Sequence, residues 1–123
     1  MIKCQPIIAV HDVEKSSKWY QELLGCQSMH GGGEFEMLGD ERNEVFLCLH
    51  KWALDNHPTM ANPETPADNG LILYIQVNDL ESTWQKAKDL GAKVEVEPHL
   101  SVNSHKREFS VRDLDGYYVT VTA

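Results

Sequence analysis

The sequence contains few cysteines, and none of them is arranged for cross-linking. The three thiols, Cys4, Cys26 and Cys48, are odd in number and form no CxxC pair. This spacing is typical neither of a disulfide framework nor of a zinc ribbon. Cys4 and Cys48 lie in apolar, strand-like segments, where a thiol behaves as a small hydrophobic group. We therefore expect the cysteines to be core residues.

Positive charge is also scarce. Eleven Lys and Arg residues stand against 19 Asp and Glu residues, which gives a net charge of −8. Nucleic-acid phosphates need a basic surface, so nucleic acid is excluded as a partner. Anionic membrane surfaces are excluded for the same reason. The charge permits a cationic ligand, although an acidic surface also serves solubility alone.

Long hydrophobic runs are missing. The longest, Val45–Leu49 and Leu71–Ile75, have the length of a strand and fall far short of a membrane span. The first residues, Met-Ile-Lys-Cys, do not begin a secretory signal. We expect a cytoplasmic protein, and 123 residues are most simply one domain, 1–123.

What the sequence does have is an internal repeat. Residues 7–14 and 74–81 both begin as a strand, reach an aspartate and turn into a helical pattern. The aspartate can cap the free amides of the helix, and a glycine follows the last apolar residue. The pattern predicts Val13–Leu24 between Asp12 and Gly25, and Leu80–Leu90 between Asp79 and Gly91.

Three short strand signals follow each predicted helix. They fall near 27–30, 34–38 and 44–50, and again near 93–97, 106–111 and 117–122. The sequence therefore predicts an α+β fold of two tandem βαβββ modules, which form a cupped mixed sheet with helices on its outer face. The modules are 1–50 and 70–123. The linker 51–69 carries three prolines and begins near Trp52, a candidate wall or lid residue.

Alternation along the strands divides their side chains between two faces. Apolar residues such as Val119 and Val121 suit the face under the helices, and their neighbours then face a cleft. The resulting surface is apolar and aromatic, with a few neutral polar groups, as ligand pockets are. With Trp52, the candidate ligand-binding residues are Gln5, Ile7, Leu47, Leu49, Ile72, Tyr74, Glu108, Ser110, Tyr118 and Thr120.

Glu108 is the one charge in this set. A carboxylate among Tyr74, Tyr118 and Trp52 could hold a cationic aromatic ligand through charge and stacking. The alternative is a strand-edge glutamate in contact with water.

The repeated module and the segment Arg107–Gly116, REFSVRDLDG, resemble the vicinal oxygen chelate superfamily. This group includes glyoxalase I, extradiol dioxygenases and bleomycin resistance proteins. The segment is similar to the REF-x-x-x-DPxG ending of bleomycin resistance-like members, with Leu114 in place of the usual proline. The resemblance covers nearly the whole chain, and it implies the βαβββ fold and a homodimer.

In metal-dependent members, the ligands are a His near the chain start, a Glu on the fourth strand, a His opening the second half and a Glu on the last strand. The resemblance places Gln5, Leu47, Ile72 and Thr120 at these positions. Two of them are aliphatic and two offer only neutral oxygens, whereas first-row metals prefer imidazole, thiolate or carboxylate. We therefore expect no metal and no cofactor.

The remaining reactive groups form no recognisable catalytic motif. The six histidines make no HxH, HxxxH or HExxH pattern, and no GxSxG elbow is present. His105 and Glu108 remain an alternative acid–base pair. We expect no catalytic residue.

Together these observations predict a metal-independent protein that sequesters a small molecule, similar to bleomycin resistance proteins. The first alternative is an enzyme of the same superfamily, a lyase, isomerase or dioxygenase, with an atypical or absent metal site. The second is an interaction module with a vestigial cleft.

Overall fold

The computed structural model describes residues 1–53, 58–64 and 69–123. It divides into two compact units, Met1–Pro66 and Ala67–Ala123, and each is considered by itself. The described residues of each unit form one helix and one four-stranded mixed sheet, so the predicted α+β fold of tandem βαβββ modules is confirmed. Part of the predicted linker, residues 54–57 and 65–68, lies outside the described residues. Among the described residues, no helix is long and apolar enough to cross a membrane.

The first unit has the strand order β1-β4-β3-β2, in which β1 runs parallel to β4 and the other pairs are antiparallel. Its elements are β1 (Ile7–Val10), α1 (Val13–Leu24), β2 (Gln27–Ser28), β3 (Phe35–Gly39) and β4 (Val45–Lys51).

The second unit repeats this plan with the order β5-β8-β7-β6, and β5 runs parallel to β8. Its elements are β5 (Ile72–Gln76), α2 (Leu80–Asp89), β6 (Lys93–Leu100), β7 (Arg107–Arg112) and β8 (Tyr118–Thr122).

Both helices begin as the sequence predicts. The Asp12 carboxylate accepts a hydrogen bond from the Lys15 amide at 3.0 Å, and that of Asp79 accepts from the Ser82 amide at 3.2 Å. Gly25 follows α1 in the left-handed conformation, with φ of 69°. The caps therefore fix where each strand turns into its helix.

Each helix covers one face of its own sheet. In the first unit α1 packs on β3 and β4, and in the second α2 packs on β7. The Trp84 ring of α2 lies 5.1 Å from the Phe109 ring of β7, and Phe109, Val111, Val119 and Val121 are fully buried. This apolar layer marks the helix side of the second sheet, where Val119 and Val121 were predicted.

The cysteines only partly follow their prediction. Cys48 lies in β4 and is buried, as expected. The placement of Cys4 in the core is wrong, because β1 begins only at Ile7 and Cys4 precedes the sheet as an exposed residue.

Candidate functional site

Six of the proposed ligand-binding residues share the sheet face that α2 leaves open. The strand register places Ile72, Tyr118 and Arg112 in one row across β5, β8 and β7, and Tyr74, Thr120 and Ser110 in the next. The third row is Gln76, Thr122 and Glu108. Of this face, Ile72 and Tyr74 are the most exposed large side chains, at 57% and 54%. The open face of the second sheet therefore presents an aliphatic and an aromatic group to solvent.

Glu108 is held by hydrogen bonding on this face. Its Oε2 accepts a hydrogen bond from the Tyr74 hydroxyl at 3.0 Å, and its Oε1 lies 3.9 Å from Nε2 of His99. Tyr74 belongs to β5 and Glu108 to β7, so the tyrosine side chain spans β8 to reach the carboxylate. The Glu108 side chain is 15% exposed. No lysine or arginine in the described ranges pairs with it.

The histidine beside Glu108 is His99, not His105 as the acid–base alternative supposed. His105 lies in the turn between β6 and β7, where its amide donates to the Ser101 carbonyl at 3.0 Å. His99 belongs to β6, which runs past Pro98 beyond its predicted end near Glu97. A proline is tolerated there because β6 is an edge strand.

Two irregularities in β6 bring His99 into this position. Lys93 pairs with Arg112, and an unbroken ladder from that pair would set Glu97 opposite Glu108. The register shifts once between Val94 and Val96 and again between Val96 and His99. His99 therefore stands opposite Glu108, and two like charges are not placed in a facing pair.

Ser110 and Thr120 lie on the predicted face, but they are not open to solvent. Their hydroxyl oxygens are 2.9 Å apart in a hydrogen bond, and the residues are 3% and 4% exposed. They form the floor beneath Tyr74, which is in register with Thr120. In this bond one hydroxyl donates to the other.

The Tyr118 ring is in contact with the Arg112 side chain. The Arg112 guanidinium lies 4.9 Å from the centre of the Tyr118 ring, within the range of a cation–π interaction. Arg112 also donates to the Glu95 carboxylate at 3.2 Å and to the Gly116 carbonyl at 2.9 Å. The positive charge on this face is thus fixed at the end away from Glu108.

In the first unit the placement of Leu47 and Leu49 was wrong. Ile7 pairs with Cys48, so Ile7 and Cys48 share one face of the sheet. Leu49 pairs with Glu36, whose carboxylate accepts a hydrogen bond from Ser17 on α1. Leu47 and Leu49 therefore lie under the helix, where they are fully buried.

The other residues proposed in the first unit lie at its periphery. Gln5 is exposed and donates from its side-chain amide to the Val45 carbonyl at 3.1 Å. Ile7 is half exposed at the start of β1. Trp52 follows β4 as a half-buried residue, and its amide donates to the Val10 carbonyl at 3.2 Å. Whether Trp52 covers a ligand stays a prediction.

The side chains at the family's metal positions do not fit a metal. Leu47 is aliphatic and faces the helix, and the register puts Cys48 on the open side in its place. Ile72 is aliphatic, the Thr120 hydroxyl is bonded to Ser110, and Gln5 has only an amide. In the described part of the chain, no group of three or more His, Cys, Asp or Glu side chains could hold a metal ion. The side chains at these positions therefore differ from the His and Glu ligands of metal-dependent members of the superfamily.

Cys26 and Cys48 are not activated as nucleophiles. Burial raises the pKa of Cys26 to about 11, and the Glu36 charge adds to the rise. Burial and the same charge raise the pKa of Cys48. Both thiols are therefore protonated at neutral pH, whereas a reactive cysteine needs a thiolate.

Sequence reasoning missed the most buried charged side chain among the described residues of the first unit, Glu36. Glu36 is 3% exposed. Its carboxylate accepts hydrogen bonds from the Ser17 and Ser28 hydroxyls and from the amides of His30, Gly31 and Met37, at 2.7–3.1 Å. The available signal was alternation, because Glu36 shares a face with Leu38 in β3. These contacts tie α1 to the turn before β3, which is a structural task.

Comparison with known proteins agrees with this architecture. The chain is 27% identical to a probable lactoylglutathione lyase of Synechocystis sp. over 97% of this chain and 92% of that protein. It superposes on a glyoxalase/bleomycin resistance protein/dioxygenase family enzyme of Burkholderia phytofirmans with a TM-score of 0.77 and 16% identity, covering 94% of this chain and 93% of that one. The bleomycin resistance determinant of transposon Tn5 gives a TM-score of 0.69 and 15% identity, covering 99% and 97%.

The two structural superpositions show that the chain shares the fold of these proteins. The sequence profile of the Glyoxalase/Bleomycin resistance protein/Dioxygenase superfamily matches residues 4–121, which is nearly the entire chain. This chain therefore belongs to that superfamily.

Proposed function

We propose that this protein binds a cationic aromatic small molecule and that Glu108 is the group that holds its charge. The supporting observation is the position of Glu108 on the open face of the second sheet. Its carboxylate is partly removed from water, is hydrogen-bonded by Tyr74 and has no Lys or Arg partner in the described residues. Such a carboxylate favours an incoming cation, since a charged hydrogen bond strengthens away from water.

The surroundings of Glu108 supply the apolar part of such a site. The Tyr74 ring is more than half exposed and leads directly to the carboxylate, and Ile72 extends the same strand. A planar ligand could stack on Tyr74 while its cation meets Glu108. The net charge of −8 also favours the approach of a cation.

Function by binding alone agrees with the donor chemistry. The residues at the family's metal positions offer no imidazole or carboxylate, and the thiols of Cys26 and Cys48 are protonated. Sequestration needs neither a metal nor a nucleophile. One structural neighbour is a bleomycin resistance determinant, so bleomycin is one of the ligands with which the proposal can be tested.

Isothermal titration calorimetry tests the proposal. At pH 8 we expect ethidium, a permanent aromatic cation, or bleomycin to bind more tightly than neutral coumarin. Glu108→Gln should weaken ethidium binding about tenfold, because a hydrogen bond to a charged group contributes about 1.5–3 kcal/mol and 1.4 kcal/mol is tenfold.

Glu97→Gln is the matched control. It removes the same charge from an exposed position on the edge strand of the same sheet. If both variants weakened binding equally, the effect would come from net charge and not from a site. If no cationic aromatic compound bound the wild-type protein, the proposal would be wrong.

The alternative function is an enzyme, and the relative named a probable lactoylglutathione lyase favours it. Metal analysis of the purified protein, together with an assay for lactoylglutathione lyase activity with added divalent ions, separates the two. The binding proposal expects substoichiometric metal and no turnover. A stoichiometric metal with lyase activity would establish the enzyme instead.

A further inference from the structure

The His99 ring is oriented by its own strand. Its Nδ1 lies 3.0 Å from the Glu97 carbonyl oxygen, and its Nε2 faces Oε1 of Glu108 at 3.9 Å. A carbonyl oxygen can only accept a hydrogen bond, so Nδ1 must carry the hydrogen. In the neutral ring Nε2 therefore carries no hydrogen, and its lone pair faces the Glu108 carboxylate.

This orientation makes the contact depend on protonation. The neutral ring has no hydrogen to give Glu108, and its lone pair is mildly repelled by the carboxylate. The protonated ring carries a hydrogen on Nε2 as well and forms an ion pair with Glu108. Histidine side chains change between these two forms at pH values from about 5 to 8.

None of the other described charged groups takes the place of His99 as an ion-pair partner of Glu108. The Tyr74 hydroxyl approaches from β5, and β8 contributes only the uncharged Thr120 and Thr122. On β7, Arg107 pairs with Glu81 of α2 at 3.4 Å, and Arg112 is held by Glu95 at the other end of the sheet face.

On β6, Lys93 and Glu95 lie at the Arg112 end, and Glu97 is bonded to His99 through its carbonyl. In the turn that follows, Lys106 donates its amide to Ser104 and is exposed. Of the described residues, His99 is the histidine within ion-pair distance of Glu108.

We propose that His99 is a resident cation that competes with the ligand's cation for Glu108, so that the site binds a cationic ligand weakly when His99 is protonated and tightly when it is neutral. This inference rests on the proposed function. The two register shifts of β6 support it, since they set a histidine rather than Glu97 opposite the carboxylate.

Ethidium is a suitable probe because its charge does not vary with pH. We expect its dissociation constant to fall about fivefold between pH 5.5 and pH 8, the size of a partly exposed ion pair. His99→Gln should bind ethidium at both pH values as the wild type does at pH 8. His105→Asn is the control, because His105 has a positive φ of 60° that asparagine tolerates, and it should keep the wild-type pH dependence.

A measurement without ligand tests the coupling directly. The carbon NMR signal of the Glu108 carboxyl should move between pH 5.5 and 8 in the wild type and in His105→Asn. It should lose that step in His99→Gln. An unchanged step in His99→Gln would overturn the inference.

The outcomes separate this inference from the proposed function. Tight ethidium binding that depends on Glu108 but has the same affinity at pH 5.5 and pH 8 leaves the proposed function standing and overturns the role of His99. No binding at either pH overturns both.

Discussion

At the scale of single residues, Glu36 shows how a buried charge is held without a basic partner. Burial alone would raise the pKa of its carboxyl, but hydrogen bonds from the Gly31 amide, the Ser28 and Ser17 hydroxyls and the His30 amide lower the pKa below its ordinary value. The hydrogen bonds therefore outweigh the loss of water. The group is ionised in the folded protein at neutral pH.

We expect Glu36→Gln to destabilise the protein by about 1–3 kcal/mol, because the amide has one accepting oxygen and leaves buried donors unpaired. Urea unfolding at pH 7 measures the change. Glu34→Gln, at an exposed position two residues earlier, should change stability little. Equal losses in both variants would show that the hydrogen bonds of Glu36 carry no special weight.

The pH dependence of this contribution follows from the direction of the pKa change. The folded pKa is lowered, so the stabilisation is complete above the unfolded value of about 4.3 and is lost as the pH falls through the folded pKa. The difference in stability between wild type and Glu36→Gln should therefore narrow below pH 4.

Leu47 and Leu49 show that alternation along a strand does not determine which face of the sheet a residue lies on. Alternation correctly separates odd from even positions in β4, but both sets contain apolar side chains, so composition does not tell which set faces the helix. The register with β1 and the Ser17–Glu36 hydrogen bond decide it. In β8 the contrast between valines and threonines was sharper, and the prediction there was correct.

At the scale of elements, the helices could be predicted, whereas the edge strand β6 was predicted in its start near Lys93 but not in its end or its register. The start of a helix is a local event, fixed by Asp12 or Asp79 and the amides of the next turn. The register of β6 is not local, because its two shifts arise from pairing with β7. Pro98 lies within β6, and an edge strand tolerates a proline.

The regularity of each strand decided which residues of the candidate site could be predicted. Tyr74, Glu108 and Thr120 lie on regular strands, and alternation brought them to one face. His99 enters the same face only through the irregular ladder of β6, so the sequence offered His105, closer to Glu108 along the chain, in its place.

At the scale of the whole molecule, the repeat predicted two similar modules because the same local signals, a strand, an aspartate cap and a helix, occur in each. Strand, cap, helix and three strands recur in Met1–Pro66 and Ala67–Ala123. The two copies have nevertheless diverged chemically. In the first the Glu36 carboxylate is buried beneath the helix, and in the second the Glu108 carboxylate lies on the open face of the sheet.

The superfamily resemblance leads us to propose a homodimer, and the charge of the chain gives this proposal a sharp test. Two copies of a chain with a net charge of −8 repel each other, and salt screens that repulsion, with a Debye length of about 30 Å at 0.01 M and about 10 Å at 0.1 M. Sedimentation equilibrium should therefore show a mass of twice 14.0 kDa that becomes more populated as sodium chloride is raised. A mass of 14.0 kDa at every salt and protein concentration would exclude the dimer. A dimer that weakened with salt would instead indicate an interface formed by opposite charges, which the surplus of acidic residues makes unfavourable.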